Sequence, residues 1–78
     1  MKFRELCRVL SDFGIQWDER KGKGSHGAFK GLTKVSKTRA VFTIPHGQQK
    51  ETDRPYIVAI RRRFELTKEN GVPDDVFR

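Results

Sequence analysis

The sequence predicts an α+β domain ordered α-β-β-β-α, in which a three-stranded antiparallel sheet carries two helices on one face. Two observations carry this expectation. Apolar residues recur at helical spacing near both ends of the chain, and three short runs between them have strand character and are separated by glycine or polar clusters. With 78 residues, 35% of them hydrophobic, there is enough for one small core. The chain is therefore expected to form a single domain over residues 1–78.

Phe3, Leu6, Cys7, Leu10 and Phe13 form the apolar stripe of the first helix, and Gly14 is its expected stop. Ile15 to Arg20 alternates apolar and polar residues and reads as a half-buried strand. Lys21 to Gly27 holds three glycines, Gly22, Gly24 and Gly27, and is expected to be a turn or bulge. Ala28 to Leu32 is the second strand, weakened by Gly31, and Thr33 to Thr38 is a polar, basic hairpin loop. Arg39 to Ile44 is the clearest strand, ended by Pro45. His46 to Asp53 reads as a polar loop. Tyr56, Ile57, Ile60 and Phe64 mark the second helix, with Pro55 suited to its first turn. Asn70-Gly71 stops that region, and Pro73 to Phe77 forms a short terminal turn.

The charge is unevenly distributed. There are 17 Lys and Arg against 10 Asp and Glu, a net charge of +7. Residues 20–50 contain eight Lys and Arg and no acidic residue, whereas the flanking segments together are almost neutral. A one-sign field of this density suits a polyanionic partner, and the alternative is a solvated surface kept soluble by its lysines. The candidate RNA-binding residues are Lys21, Lys23, Ser25, Lys30, Lys34, Lys37 and Arg39. With two helices covering one face of the sheet, the other face is expected to carry the basic strand residues. Arg61, Arg62 and Arg63 extend this field if the fold brings them to it. A single Cys7 excludes an internal disulfide framework and fits a reducing compartment. No apolar run approaches the roughly 20 residues that span a bilayer, so no membrane association and a cytoplasmic location are expected.

Two histidines carry the candidate chemistry. His26 lies in Gly24-Ser25-His26-Gly27 near Lys23 and Lys30, and His46 follows Ile44-Pro45. Histidine alone titrates near neutral pH without a perturbed environment. RNA supplies its own nucleophile, the 2′-hydroxyl, so a ribonuclease needs a base, cationic support and a proton for the leaving oxygen. A positioned base contributes roughly 10²–10⁴-fold, and aimed cations stabilise the developing charge. His26 is the candidate base. His46 is a weaker candidate acid that requires the fold to set it near His26. The alternative for each histidine is an ordinary loop residue. Ser25, adjacent to His26, cannot form a nucleophile–base pair with it. Cys7 and Trp17 read as packing residues, and two histidines with one cysteine make a poor zinc set. No metal or cofactor is expected.

These segments together resemble the HicA-type (YcfA-like) toxins of bacterial type II toxin–antitoxin systems. The likeness runs through Phe13-Gly14-Ile15, Gly24-Ser25-His26, Ile44-Pro45-His46, Tyr56-Ile57-Val58-Ala59-Ile60-Arg61-Arg62 and Leu66-Thr67. It continues through Glu69-Asn70-Gly71-Val72 and Asp74-Asp75-Val76-Phe77 and spans nearly the whole chain. The resemblance implies a fold like the double-stranded-RNA-binding domain, cleavage of mRNA with His26 essential, and neutralisation by a HicB-type antitoxin. Pro45 and His46 are adjacent here, where many members place a residue between them. A non-catalytic RNA-binding module of the same fold is the alternative, and a purely protein-binding role for the basic face is the third reading.

Overall fold

A computed structural model describes residues 1–19 and 27–78. Helix α1 spans Phe3–Asp12, strands β1, β2 and β3 span Gln16–Asp18, Gly27–Leu32 and Arg39–Ile44, and helix α2 spans Arg54–Arg63. Three 3₁₀ turns follow the sheet, at His46–Gln48, Lys68–Asn70 and Asp74–Phe77. The strands form one antiparallel sheet in the order β1-β2-β3. The α+β architecture expected from the sequence is thus observed, with both helices packed on one face of a three-stranded sheet.

Register explains which residues enter the core. Trp17 pairs with Phe29 and Phe29 with Phe42, so one aromatic row crosses all three strands. Side chains alternate along a strand, which puts Ala40 and Ile44 on that same face. Leu6, Val9 and Leu10 of α1 and Ile57 and Ile60 of α2 close over it, all buried. Each such aliphatic or aromatic side chain contributes about 1.5–3 kcal/mol by leaving water.

Both helices end in the same hydrogen-bonded geometry. After α1, Ile15 N–H donates to Leu10 O and Gly14 takes the left-handed conformation at φ 78°. After α2, Leu66 N–H donates to Arg61 O, and the left-handed position is Glu65 at φ 61°.

The structure corrects the expected elements in three places. The first strand begins at Gln16, and Ile15, whose N–H donates to Leu10 O at the end of α1, enters the core instead. The second strand starts one residue earlier, at Gly27. Gly31 lies within that strand as expected, and a Cβ there would lie 3.0 Å from Gly14 O and from the Ile15 Cα. Residues 46–53 are a fastened connection and not an open polar loop. Within them Gln48 Oε1 accepts the Asp53 N–H, the buried Thr52 hydroxyl donates to Gln48 O, and Lys50 O accepts the Phe3 N–H.

The segment after α2 also does more than turn. Leu66, Val72 and Phe77 are fully buried members of the core. Arg61 stitches this tail down. Its guanidinium donates to Leu66 O, Val72 O and Asp74 Oδ1, and lies 5.1 Å from the centroid of the Phe77 ring.

Candidate nucleic-acid interface

The β2–β3 turn forms one end of a cationic surface. Thr33 N–H donates to Thr38 O, Thr38 N–H returns to Thr33 Oγ1, and Lys37 takes a left-handed φ of 56°. Lys34 and Lys37 project from this turn into solvent, and Lys34 N–H donates to Phe64 O at the end of α2. That bond brings the last turn of α2, with the exposed Arg62 and Arg63, beside the two lysines. Arg62, Arg63, Thr33, Ser36, Thr38 and Phe42 line a groove of about 640 Å³ between the helix and the sheet. Of the three consecutive arginines, Arg62 and Arg63 therefore join the basic field. Arg61 does not, because its side chain is only 12% exposed and is committed to the tail.

The sheet face turned away from the helices carries the second part. Lys30 and Arg39 share this face as diagonal neighbours, since Lys30 pairs with Val41 and Arg39 lies two residues before it. With Gln16, Leu32 and Val41 they line a shallow depression of about 440 Å³. The expectation of a basic face holds only in part. Leu32 and Val41 are 52% and 44% exposed on it, and Lys30 Nζ sits 3.1 Å from Asp18 Oδ2. The charge of Lys30 is thus partly neutralised within the sheet, while Arg39 has no such partner among the described residues.

The histidine end is opposite the turn. Gly27 pairs with Ile44, so β2 starts where β3 finishes, two residues before His46. His46 opens a 3₁₀ turn, is exposed, and its side chain makes no hydrogen bond with the described residues. The first candidate, His26, lies outside the described residues, as do Lys21, Lys23 and Ser25. Five residue steps along β2 separate Gly27 from Leu32, a distance of about 17 Å. Lys34 and Lys37 therefore belong to the far end of the hairpin from His46.

The remaining candidates have structural tasks. The Trp17 ring packs edge-on against Phe3, with centroids 4.8 Å apart, and lies 4.9 Å from Phe29. A Cβ on Gly27 would strike its indole, so that glycine makes room for the ring. Cys7 is half-buried beside the core, where burial pushes its thiol up to about 11 and keeps it protonated at neutral pH. Among the described residues no three His, Cys, Asp or Glu side chains gather as metal ligands, and no helix is long and apolar enough to cross a membrane.

Comparison with protein-family models, curated proteins and solved structures finds no match to this chain.

Proposed function

We propose that the chain is an RNA-cleaving toxin of the HicA type, with a fold like the double-stranded-RNA-binding domain and a HicB-type antitoxin as its neutralising partner in the cytoplasm. The observation that carries this reading is the pairing of Gly27 with Ile44. The segment Gly24-Ser25-His26 runs directly into one of these strands, and Pro45-His46 leaves the other. Acid–base cleavage of RNA requires a base and an acid at one phosphodiester, and this reading assigns those roles to His26 and His46.

In this mechanism the 2′-hydroxyl loses its proton to His26 as its oxygen forms a bond to phosphorus. The bond from phosphorus to the 5′-oxygen breaks, and His46 supplies the proton that oxygen takes up. The products are a 2′,3′-cyclic phosphate and a 5′-hydroxyl. Lys23 serves the phosphate at the reacting end. Lys34, Lys37, Arg39, Arg62 and Arg63 hold the backbone along the hairpin, a sequence-independent contribution that weakens with salt. A non-catalytic RNA-binding module would use the same cations and leave its substrate whole.

The deciding experiment incubates end-labelled single-stranded mRNA with wild-type protein in EDTA, beside a His26→Ala sample purified identically. Cleavage by wild type alone, with cyclic-phosphate ends, is the expected result. Retarded but intact RNA in both lanes would replace the toxin reading by the binding module. Equal cleavage in both would remove His26 from the mechanism.

A further inference from the structure

Strand β3 is an edge of the sheet, and its geometry leaves a row of main-chain groups facing outward. Thr33 N–H donates to Thr38 O at 2.8 Å, and this pair continues the β2–β3 register. Directly opposed residues of an antiparallel ladder alternate between hydrogen-bonded and non-hydrogen-bonded pairs. The N–H and C=O groups of Ala40 and Phe42 therefore turn toward β2, and those of Arg39, Val41 and Thr43 turn away from it. Among the described residues no strand pairs with this outer edge.

The surroundings of the edge are specific in charge. On the open side stand the exposed side chains of Arg39, Val41 and Thr43. On the helix side runs the groove with Phe42 and Ala59 along it and Arg62 and Arg63 at its rim. Glu65 also lines that groove, but its carboxylate is occupied by Val35 and Ser36. Edge strands are commonly protected by an internal proline, a bulge or a row of charges. Between Arg39 and Ile44 there is no proline, and the only charge is that of Arg39.

We propose that the outer edge of β3 accepts an extended acidic segment of a partner protein as a fourth strand. The outward N–H and C=O groups of Arg39, Val41 and Thr43 would pair with its main chain. Its side chains alternate between the two faces, so carboxylates meet Arg62 and Arg63 on one side and Arg39 on the other. Apolar residues at intervening positions would cover Phe42 and Ala59, or Val41. A second copy of this chain fits poorly, because it also carries a net charge of +7. A nucleic acid has no peptide main chain to add to the ladder. The inference rests on β3 and α2 and stands apart from any cleavage chemistry at the histidines.

The test uses the whole protein and a fluorescein-labelled peptide of alternating Glu and Val, seven residues long, read by anisotropy and by amide exchange. Binding is expected together with at least tenfold slower exchange at the Val41 and Thr43 amides, while Ala40 and Phe42 are protected before and after. Val41→Pro removes an N–H that the fold does not use, so it should keep the protection of Ala40 and Phe42 yet weaken binding at least tenfold. Arg62→Glu with Arg63→Glu should weaken it similarly. Should Val41→Pro fail to fold, a peptide N-methylated at alternate residues replaces it, with the same tenfold loss expected. Equal affinity for the N-methylated peptide, or unchanged exchange at Val41 and Thr43, would overturn the proposal. Slowed exchange at those amides on concentrating the protein without peptide would assign the edge to a second copy and overturn it equally.

Discussion

The carboxylate of Glu65, one residue beyond the cap of α2, closes the turn that carries Ser36. Its Oε1 accepts the N–H groups of Val35 and Ser36 at 2.8 and 2.7 Å, and its Oε2 accepts the Ser36 hydroxyl at 2.6 Å. A left-handed conformation at a residue other than glycine costs about 1–2 kcal/mol. These three bonds give the reason a glutamate occupies a position that is glycine in the matching end of α1.

The anionic form of Glu65 receives these bonds, and they hold its carboxyl at about 2, against 4.5 for the free group; the Ser36 hydroxyl is the largest cause. A depressed folded-state value stabilises the fold above the unfolded value and ceases to do so as pH falls through the folded one. Glu65→Gln should therefore be less stable than wild type above about pH 5. The gap should narrow as pH falls from about 4.5 toward 2. Urea unfolding across that range measures it, and a gap independent of pH would show that the charge of Glu65 has no part in closing the turn.

Arg61 should tolerate no cationic substitute. Its planar fork reaches two carbonyls and Asp74 at once, with the Phe77 ring beneath, and an ammonium cannot reproduce that geometry. Arg61→Lys should cost about 1–3 kcal/mol in stability. Wild-type stability in this variant would mean that the tail is held by Leu66, Val72 and Phe77 alone.

Gly31→Ala places a methyl group 3.0 Å from the main chain of Gly14 and Ile15. Backbone atoms cannot swing aside as a side chain can, so a cost of about 1–3 kcal/mol is expected. Gly47→Ala meets nothing within 4 Å and should change stability by less than about 0.5 kcal/mol. Equal urea midpoints for the two variants would contradict the close crossing of β2 by the chain entering β1.

For binding to single-stranded RNA, Arg62→Ala and Arg63→Ala should each reduce the slope of log affinity against log salt by about 0.7. Asp18→Asn should act in the opposite direction, because it removes the carboxylate beside Lys30 and leaves that ammonium for phosphate. Filter binding at several salt concentrations reads both effects. Unaltered slopes in the arginine variants would take the end of α2 out of the interface.

Local signals made much of the architecture legible. The stripe from Phe3 to Phe13, the alternation from Arg39 to Ile44 and the spacing of Ile57, Ile60 and Phe64 each report a periodicity belonging to one element. The excess charge of residues 20–50 was equally plain. The start of the first strand at Gln16 was not, because the bond from Ile15 N–H to Leu10 O ties Ile15 to the end of α1, a contact that alternation alone does not report. Nor does composition reveal that Phe77 reaches the core from the end of the chain.

Sequence alone determined the order of elements, the apolar faces and the sign of the surface field, since each depends on neighbours within a few residues. Tertiary structure decided which charges act together. Helix packing sent Arg61 inward and set Arg62 and Arg63 beside Lys34 and Lys37, while strand register paired Lys30 with Asp18. These relationships join residues far apart in the chain, so they exist only once the helices and strands have closed around one core.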